Sequence, residues 1–201
     1  MAGYGATTCL ATSEDGIRWT RPSLDVVPGT NIVHGDFRDS STVWLDQDSA
    51  DPRERYKMSY WYDHALSLLT SPDGVHWNRR GTTRRTDDRS TFFRNPFRNT
   101  WVYSLRANVN NLSGRYRRYW ENPDFLAAAR GWGDREPVAW VKADSADFAR
   151  PELAHRPELY NLDCVAYESV MLGLFSVWRG ESSVREKINE VTVGFSRDGF
   201  H

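Results

Sequence analysis

The stretch SPDGVHW, residues 71–77, decides the fold because the chain repeats its pattern as SEDGIRW at 13–19 and as SRDGFH at 196–201. Ser-x-Asp-Gly favours a tight turn, since glycine adopts positive φ without strain and the aspartate side chain accepts hydrogen bonds from nearby backbone N–H groups. The aromatic residue that follows begins a new strand. Each copy therefore predicts a strand, a turn and a second strand.

A fourth and weaker copy of the turn is found when WTRP, residues 19–22, is aligned with FARP, residues 148–151. This alignment places Asp144 at the position of Asp15. The four turn aspartates are then separated by 58, 71 and 54 residues along the chain. Spacings near 60 residues, with strands between them, are the scale of a four-stranded propeller blade with long loops.

The segments between the turns are rich in β-forming residues, and aromatic residues make up 13% of the chain. One segment differs: residues 115–134 contain a proline, an alanine run and a closing glycine, which favour a short helix in an insertion. We therefore predict an all-β fold of about three four-stranded antiparallel blades with one short helix; the alternative is a two-sheet β-sandwich. The predicted boundaries are a blade end at 1–24 and blades at 35–81, at 88–151 with an insertion at 112–135, and at 160–201.

Composition narrows the range of partners. The chain has 201 residues, 39% of them hydrophobic, and a formal net charge of -1. A nearly neutral chain has no general attraction for nucleic acid or an anionic membrane, so we expect neither partner. The basic cluster RYRRYW, residues 115–120, is accordingly interpreted as a solvated face. No export leader is visible, so a cytoplasmic location is the default expectation.

Cysteine and histidine usage predicts no metal site. The two cysteines, Cys9 and Cys164, permit at most one disulfide and lack metal-ligand spacing, so we interpret them as two partly buried thiols. The five histidines show no paired spacing either. We therefore predict neither a metal nor a cofactor from these residues.

Glu168 stands in the otherwise apolar run DCVAYESVMLGLF, residues 163–175. A charged carboxylate is costly in such surroundings unless it faces a pocket or has a partner. An apolar environment would also raise its pKa toward that of a general acid. The alternative is a structural glutamate paired with Arg94 or Arg106.

Together, SEDGIRWTRP, SPDGVHW, RNPFRNTWVYSLR, YESVMLGLF and VGFSRDGFH resemble the five-bladed β-propeller glycoside hydrolases of families 32, 43 and 68, in particular family 32-like bacterial members. The resemblance extends over almost the whole chain and implies a funnel lined by the first, innermost strand of each blade. A five-bladed ring needs about 300 residues at this repeat length. The chain is therefore expected to be part of a propeller, or to close its ring with a second copy as a homo-oligomer. Some relatives hold calcium in the channel, a cofactor that the sequence leaves open.

In these families two aspartates and a glutamate act from successive inner strands, because glycosidic cleavage needs carboxyl groups on both sides of the bond. The resemblance implies that Asp39, in HGDFRDSSTVW (34–44), is the nucleophile or base, with Asp36 and Arg38 beside it. It implies that Glu168 is the general acid, although its YES segment lacks the proline of the family motif.

The middle position departs from the family pattern. FRNPFRNTW, residues 93–101, resembles an Arg-Asp-Pro motif, but Asn95 stands in the place of the acid that orients the substrate. Asn95 is expected to bind sugar hydroxyls as a neutral substitute, or Asp88 takes the role, or this position has no counterpart in the chain.

Other side chains are of types that bind sugars, because aromatic rings stack on sugar faces and arginines bond hydroxyls or an acidic sugar. For the aromatic residues, packing in the core is the alternative. The predicted contacts are Trp61, Tyr62, His64, Tyr167, Trp178, Arg94, Arg98 and Arg106.

Two functions follow from the sequence. The first is a glycoside hydrolase with Glu168 as acid and Asp39 as nucleophile or base. The second is a non-catalytic propeller module that binds carbohydrate or protein, favoured by the missing acid at Asn95. They are distinguished by whether the two carboxyl groups face one another at about 5 to 10 Å, as glycosidase pairs do.

Overall fold

The computed structural model describes residues 7–109, 113–133, 135–147, 150–153, 155–180 and 186–201. Strands dominate these residues and pair antiparallel in one short and three larger sheets that follow one another along the chain. The prediction of an all-β fold with four-stranded antiparallel sheets is confirmed.

The chain begins with a two-stranded sheet of β1 (Thr8–Cys9) and β2 (Ile32–His34). A four-stranded meander follows, which we call the first sheet. Its strands are β3 (Ser40–Leu45), β4 (Tyr56–Tyr62), β5 (Ala65–Ser71) and β6 (Asn78–Thr82), with a 3₁₀ turn at Pro52–Glu54.

The second sheet is also a four-stranded meander. It contains β7 (Thr91–Asn95), β8 (Thr100–Val109), β9 (Ser113–Asn122) and β10 (Val138–Lys142), with a 3₁₀ helix at Phe125–Arg130 between the last two strands. The predicted short helix is therefore present but shorter than expected. The helical interpretation of 115–122 was wrong, because these residues form the third strand of the sheet.

The basic cluster at 115–120 is not a solvated face. Arg117 is fully buried, and Tyr119 and Trp120 are each 5% exposed. Strand alternation explains the error. Successive residues of β9 point to opposite faces and pack against both neighbouring sheets, so that polar residues of this strand are buried between two hydrophobic clusters. The interpretation as a solvated surface is therefore corrected.

The third sheet has three described strands, β11 (Glu158–Tyr167), β12 (Val170–Trp178) and β13 (Asn189–Ser196), and a 3₁₀ turn at Pro151–Leu153 precedes it. One of its faces packs on the second sheet. The opposite face leaves Val191, Val193 and Phe195 between 70% and 76% exposed. An apolar strip of this kind is typical of a surface that another protein layer covers.

The first strands of the three large sheets, β3, β7 and β11, lie side by side and run in the same direction. The Arg89 N–H, just before β7, donates to the Ser40 hydroxyl at 3.3 Å, and the Thr91 hydroxyl donates to the Leu162 carbonyl at 3.0 Å. Farther along the strands, Phe93 packs with Cys164. The three strand starts therefore meet at one end of a propeller-like stack of sheets.

Apolar side chains fill the spaces between the sheets. Leu66 and Leu68 of β5 pack against Phe92, Trp101 and Tyr103 of the second sheet. Each large apolar side chain that is fully buried contributes roughly 1.5 to 3 kcal/mol relative to an exposed one. These contacts hold the strand starts in fixed relative positions.

The three Ser-x-Asp-Gly turns have the same hydrogen bonds, which confirms the turn prediction. In the copy at 71–77, the Ser71 hydroxyl accepts from the Asp73 and Gly74 N–H groups, at 3.2 and 2.9 Å. The Asp73 carboxylate accepts from the N–H groups of Val75 and His76, both at 2.8 Å. The copies at 13–19 and 196–201 repeat this pattern.

The weaker fourth copy is only partly described. Asp144 accepts a hydrogen bond from the Ala146 N–H at 2.7 Å, as a turn aspartate does. Phe148, which would complete the pattern, lies outside the described residues.

Asp73→Ala should lower the free energy of unfolding by about 1 to 2 kcal/mol, because two backbone N–H groups lose a charged acceptor. Chemical denaturation measures the change. Asp48→Ala, at an exposed position, is the control and should leave stability unchanged. An equal loss in both variants would contradict the structural role of the turn.

His76 gives stability a pH dependence. Its ring nitrogens lie 2.7 Å from Asp73 and 3.1 Å from Asp25, and these two carboxylates raise the pKa of His76 above its ordinary 6.5. The protonated form is favoured in the folded chain. The stabilising contribution should therefore be complete below pH 6.5 and be lost as the pH rises through the raised pKa.

Titration of the His76 ring by NMR tests this assignment. In Asp25→Asn the pKa should move down toward 6.5, because one of the two carboxylates is gone. An unchanged pKa in this variant would show that Asp25 has no part in the interaction.

Candidate functional site

The starts of β3, β7 and β11 carry a group of charged and aromatic residues that we call the mouth cluster. Asp39 immediately precedes β3, and Asp88 and Arg89 lie in the loop before β7. Glu158 and Tyr160 belong to the first residues of β11, and Arg115, on β9, completes the cluster. The polar groups of three successive sheets thus meet at one place.

Arg117 fixes the backbone beneath the mouth cluster. Its buried guanidinium donates to the carbonyls of Ser104 at 2.5 Å, Arg89 at 2.9 Å and Tyr160 at 3.3 Å. Burial lowers the pKa of Arg117 to about 9, so it remains a cation at neutral pH. A planar guanidinium with five donors can serve three strands at once.

Arg89 stands at the centre of the mouth cluster in a left-handed conformation, with φ of 58°. Its Nη2 atom lies 3.9 Å from Asp39 Oδ1, and its guanidinium is 5.9 Å from the centre of the Tyr160 ring. Burial works to lower the pKa of Arg89, but the Asp39 charge and Tyr160 outweigh it and raise the pKa. A strained backbone of this kind persists only where its surroundings hold it.

Glu158 is held as a carboxylate. It accepts from the Arg115 guanidinium at 2.6 Å and from the Arg115 N–H at 3.0 Å, and His155 Nε2 lies 3.0 Å away. Burial favours the neutral acid, yet these partners lower the pKa of Glu158. As it stands, Glu158 can accept hydrogen bonds but is poorly suited to donate a proton. Arg115 also lies 4.3 Å from the Trp178 ring centre, which holds its guanidinium in place.

Asp88 of the mouth cluster pairs with Arg106, and both residues were predicted as substrate contacts. The Arg106 guanidinium contacts the Asp88 carboxylate and donates to the Asp88 carbonyl at 3.0 Å. Arg106 also lies 3.8 Å from Asp87 and donates to Asn108 at 3.1 Å. Arg106 therefore positions the loop before β7.

Trp61 and His64 lie close to Asp39 along the first sheet. The Asp39 N–H donates to the Trp61 carbonyl at 3.0 Å, and the indole N–H of Trp61 donates to Thr86 at 3.1 Å. His64 is exposed in the β4–β5 turn, edge-on to Trp61 at 5.9 Å. Trp61 thus packs against the core while its backbone positions Asp39.

Asp36 and Arg38 stand apart from the mouth cluster. Asp36 accepts from the Tyr60 hydroxyl at 2.8 Å. The Arg38 guanidinium donates to the Thr8 hydroxyl at 2.9 Å and the Thr7 carbonyl at 3.0 Å. Arg38 thus binds the N-terminal segment, and Asp36 binds a tyrosine of the first sheet.

Asn95 lies at the opposite end of β7 from Arg89. Its amide is fully buried, donates to the Asp198 carbonyl at 2.7 Å and accepts from the Phe97 and Arg98 N–H groups at 3.1 and 3.2 Å. These bonds explain an amide at this position, because the side chain must donate as well as accept. Asn95 therefore caps the β7–β8 turn and also bonds to the Ser-x-Asp-Gly turn at 196–201.

The other two arginines of this segment are also engaged. Arg94 contacts Asn99, and its guanidinium lies 5.6 Å from the Trp101 ring centre. Arg98 pairs with Glu121. Both lie at the end of the sheet away from the mouth cluster.

Glu168 is not enclosed in an apolar run, and that expectation from the sequence is corrected. It lies with φ of 50° in the exposed β11–β12 turn, next to Tyr167, which is 60% exposed. At about 3.3 Å per residue along β11, Glu168 is roughly 25 Å from Tyr160. Tyr160 and Asp39 both lie next to Arg89, so Glu168 is also far from Asp39. The separation exceeds the 5 to 10 Å of glycosidase carboxylate pairs, so the geometry gives no support for pairing Glu168 with Asp39. The role of Glu168 stays a prediction.

Sequence reasoning missed Arg89, Arg115, Glu158 and Tyr160. The sequence did contain a signal for Arg89. It follows Asp88, a predicted substrate contact, and directly precedes the predicted inner strand at 90–97. Glu158 and Tyr160 stand in the hydrophilic stretch RPELYNLDC, residues 156–164, where no pattern marks the start of a strand.

Two absences hold for the described ranges. No group of three or more His, Cys, Asp or Glu side chains among them converges as metal ligands do. No helix there is long and apolar enough to cross a membrane. Cys9 and Cys164 are both free thiols; Cys9 is exposed, and burial raises the pKa of Cys164 to about 12.

No family model and no curated protein sequence matches this chain. Two solved structures are similar to it, each at 10% identity: a complex of BT0996 with RGII, covering 88% of this chain with a TM-score of 0.49, and a glycoside hydrolase, covering 87% with a TM-score of 0.47. The chain spans about half the length of these structures, 52% of each. Both TM-scores lie below 0.5, so neither likeness bears on the function of the mouth cluster.

Arg117→Lys should lower the free energy of unfolding by about 2 kcal/mol or more, because an ammonium group cannot reach three carbonyls in separate segments of the chain. Arg118→Lys is the matched control, since Arg118 donates to one carbonyl only, that of Pro137. Urea denaturation of both variants gives the comparison. Similar losses in both variants would show that Arg117 has no special role.

Proposed function

We propose that this chain is a glycoside hydrolase-like protein that binds a carbohydrate at the mouth cluster, in the funnel of a β-propeller. The observation that carries the proposal is that Asp39 and Asp88 lie just before the first strands of successive sheets, and that the Arg89 guanidinium lies 3.9 Å from Asp39 and 5.9 Å from the centre of the Tyr160 ring of β11. Sugar-binding sites need acceptors and donors at close range, and these side chains supply both.

The rigidity of the cluster supports binding. Arg117 holds the Arg89 and Tyr160 backbones, and Arg106 holds Asp88. A backbone fixed in this way leaves less conformational freedom to be lost when a ligand arrives, which favours affinity. Asp39 is one quarter exposed, so its carboxylate is accessible at the mouth.

Hydrolysis is the second candidate function, with Asp39 as nucleophile or base. It is favoured by the exposed carboxylate of Asp39 beside a positioning cation. It also needs a proton donor across the bond. Glu158, the acid at the corresponding point of the third sheet, is held ionised by Arg115 and His155. Binding without cleavage is therefore the function that the geometry favours.

Asp39→Asn should weaken carbohydrate binding at least tenfold, because a charged acceptor at the mouth is lost, about 1.4 kcal/mol or more. The measurement is a titration against a panel of mono- and oligosaccharides. Asp36→Asn is the matched control and should bind as the wild type does, since Asp36 lies outside the mouth cluster. Equal weakening in both variants, or no binding by the wild type, would contradict the proposal.

A screen of aryl glycosides separates binding from cleavage. Turnover that Asp39→Asn abolishes would establish hydrolysis at this site. Glu168→Gln should leave any such turnover unchanged, because Glu168 lies at the far end of β11. A complete loss in Glu168→Gln would restore Glu168 as the general acid.

A further inference from the structure

Arg89 has hydrogen-bonding capacity that the described residues leave unused. Its Nε atom is buried and has no hydrogen-bond partner among them. The Arg89 Nη2 atom lies 3.9 Å from Asp39 Oδ1, which is an ion pair but is too long for a hydrogen bond. A buried donor without an acceptor is costly, so each one in a native structure needs an explanation, and an acceptor that a ligand supplies is one such explanation.

The surroundings of Tyr160 repeat this pattern. Arg115 Nε is also buried and without a hydrogen-bond partner in the described part of the chain. The Arg115 guanidinium lies 5.1 Å and the Lys187 ammonium 5.9 Å from the centre of the Tyr160 ring, which Arg89 approaches to 5.9 Å. Three cations therefore surround one ring.

Carboxylates offset these cations only in part. Asp39 stands beside Arg89, and Glu158 is already engaged by Arg115 and His155. Asp88, the third acid of the mouth cluster, is neutralised by Arg106. The Tyr160 ring thus has three cations around it and two remaining carboxylates at the edges. One further negative charge would balance the cluster and supply acceptors to the free Nε donors.

We propose that Arg89, Arg115 and Lys187 bind the carboxylate of an acidic sugar against Tyr160, beside Asp39. This inference rests on the proposed function, since it names the class of carbohydrate that the mouth cluster takes. A carboxylate matches the planar fork of arginine in a bidentate manner. It suits the site better than a doubly charged phosphate, because Asp39 and Glu158 remain close and repel a second charge.

The experiment compares two ligands that differ only at C6: methyl glucuronide and methyl glucoside, with the galacturonide and galactoside as a second pair. Binding is followed by NMR through the side-chain Nε–H signals of the arginines. The uronide should bind the wild type at least tenfold more tightly than its neutral counterpart and shift the Arg89 Nε–H signal. Raising the salt concentration should weaken uronide binding and leave the neutral sugar unaffected.

Arg89→Gln should abolish the preference for the uronide. Arg18→Gln, which removes an arginine that is 90% exposed on the first turn, should preserve it. A thermal melt checks that Arg89→Gln is folded. If this variant is unfolded, the proposal is tested by the salt dependence of uronide binding and by the Arg89 Nε–H shift, both measured on the wild type.

The outcomes separate the two proposals. Equal binding of the uronide and the neutral sugar would overturn the acidic-sugar inference and leave carbohydrate binding standing. Binding of inorganic phosphate as tight as that of the uronide would also overturn it, by showing a general anion site. No binding of any sugar by the wild type would overturn both.

Discussion

One buried cation joins the parts of this molecule that carry its chemistry. Arg117 is fully enclosed between the second and third sheets, where it bonds the carbonyls of Ser104, Arg89 and Tyr160. Ser104 belongs to the second sheet, Arg89 lies just before its first strand and Tyr160 belongs to the third sheet, so the guanidinium fixes the spacing between two sheets that are not paired by strand hydrogen bonds. Burying an unpaired charge is expensive. The positions of Arg89 and Tyr160 are therefore set by a group that has few other places to bond.

The three acids of the mouth cluster differ in how closely each is paired with an arginine. Asp88 is taken up by Arg106 and Glu158 by Arg115, whereas Asp39 meets Arg89 only at 3.9 Å. The engaged acids shape the site, and the loosely held pair is the part that a ligand can reorganise. This division is the reason why we propose binding, and not proton transfer, at the mouth cluster.

Local patterns predicted the fold better than the site. The Ser-x-Asp-Gly turns and the run at 55–62 indicated the sheets, because their hydrogen bonds and alternation involve residues close in sequence. The site depends on residues from three sheets, and spacing along the chain does not report which strand starts meet. Asp39 was predicted from the family resemblance and Asp88 as one alternative to Asn95; both lie just before the first strand of a sheet, and their roles stay predictions. The expected enclosure of Glu168 was wrong because its apolar sequence neighbours belong to β11 and β12, whereas Glu168 itself lies in the exposed turn between these strands.

The repeated turn has a consequence for how the chain folds. The hydrogen bonds that shape the turn at 71–77, made by Ser71, Asp73 and Trp77, link residues two or three positions apart, so the turn can form before any sheet is complete. Contacts between sheets, such as that of Thr91 with Leu162, join residues 71 positions apart and form more slowly. The turn at 71–77 joins β5 to β6 inside the first sheet, so the hairpin of these two strands can form before the sheet packs against its neighbour. The first sheet can therefore grow outward from a local hairpin, without waiting for contacts with distant parts of the chain.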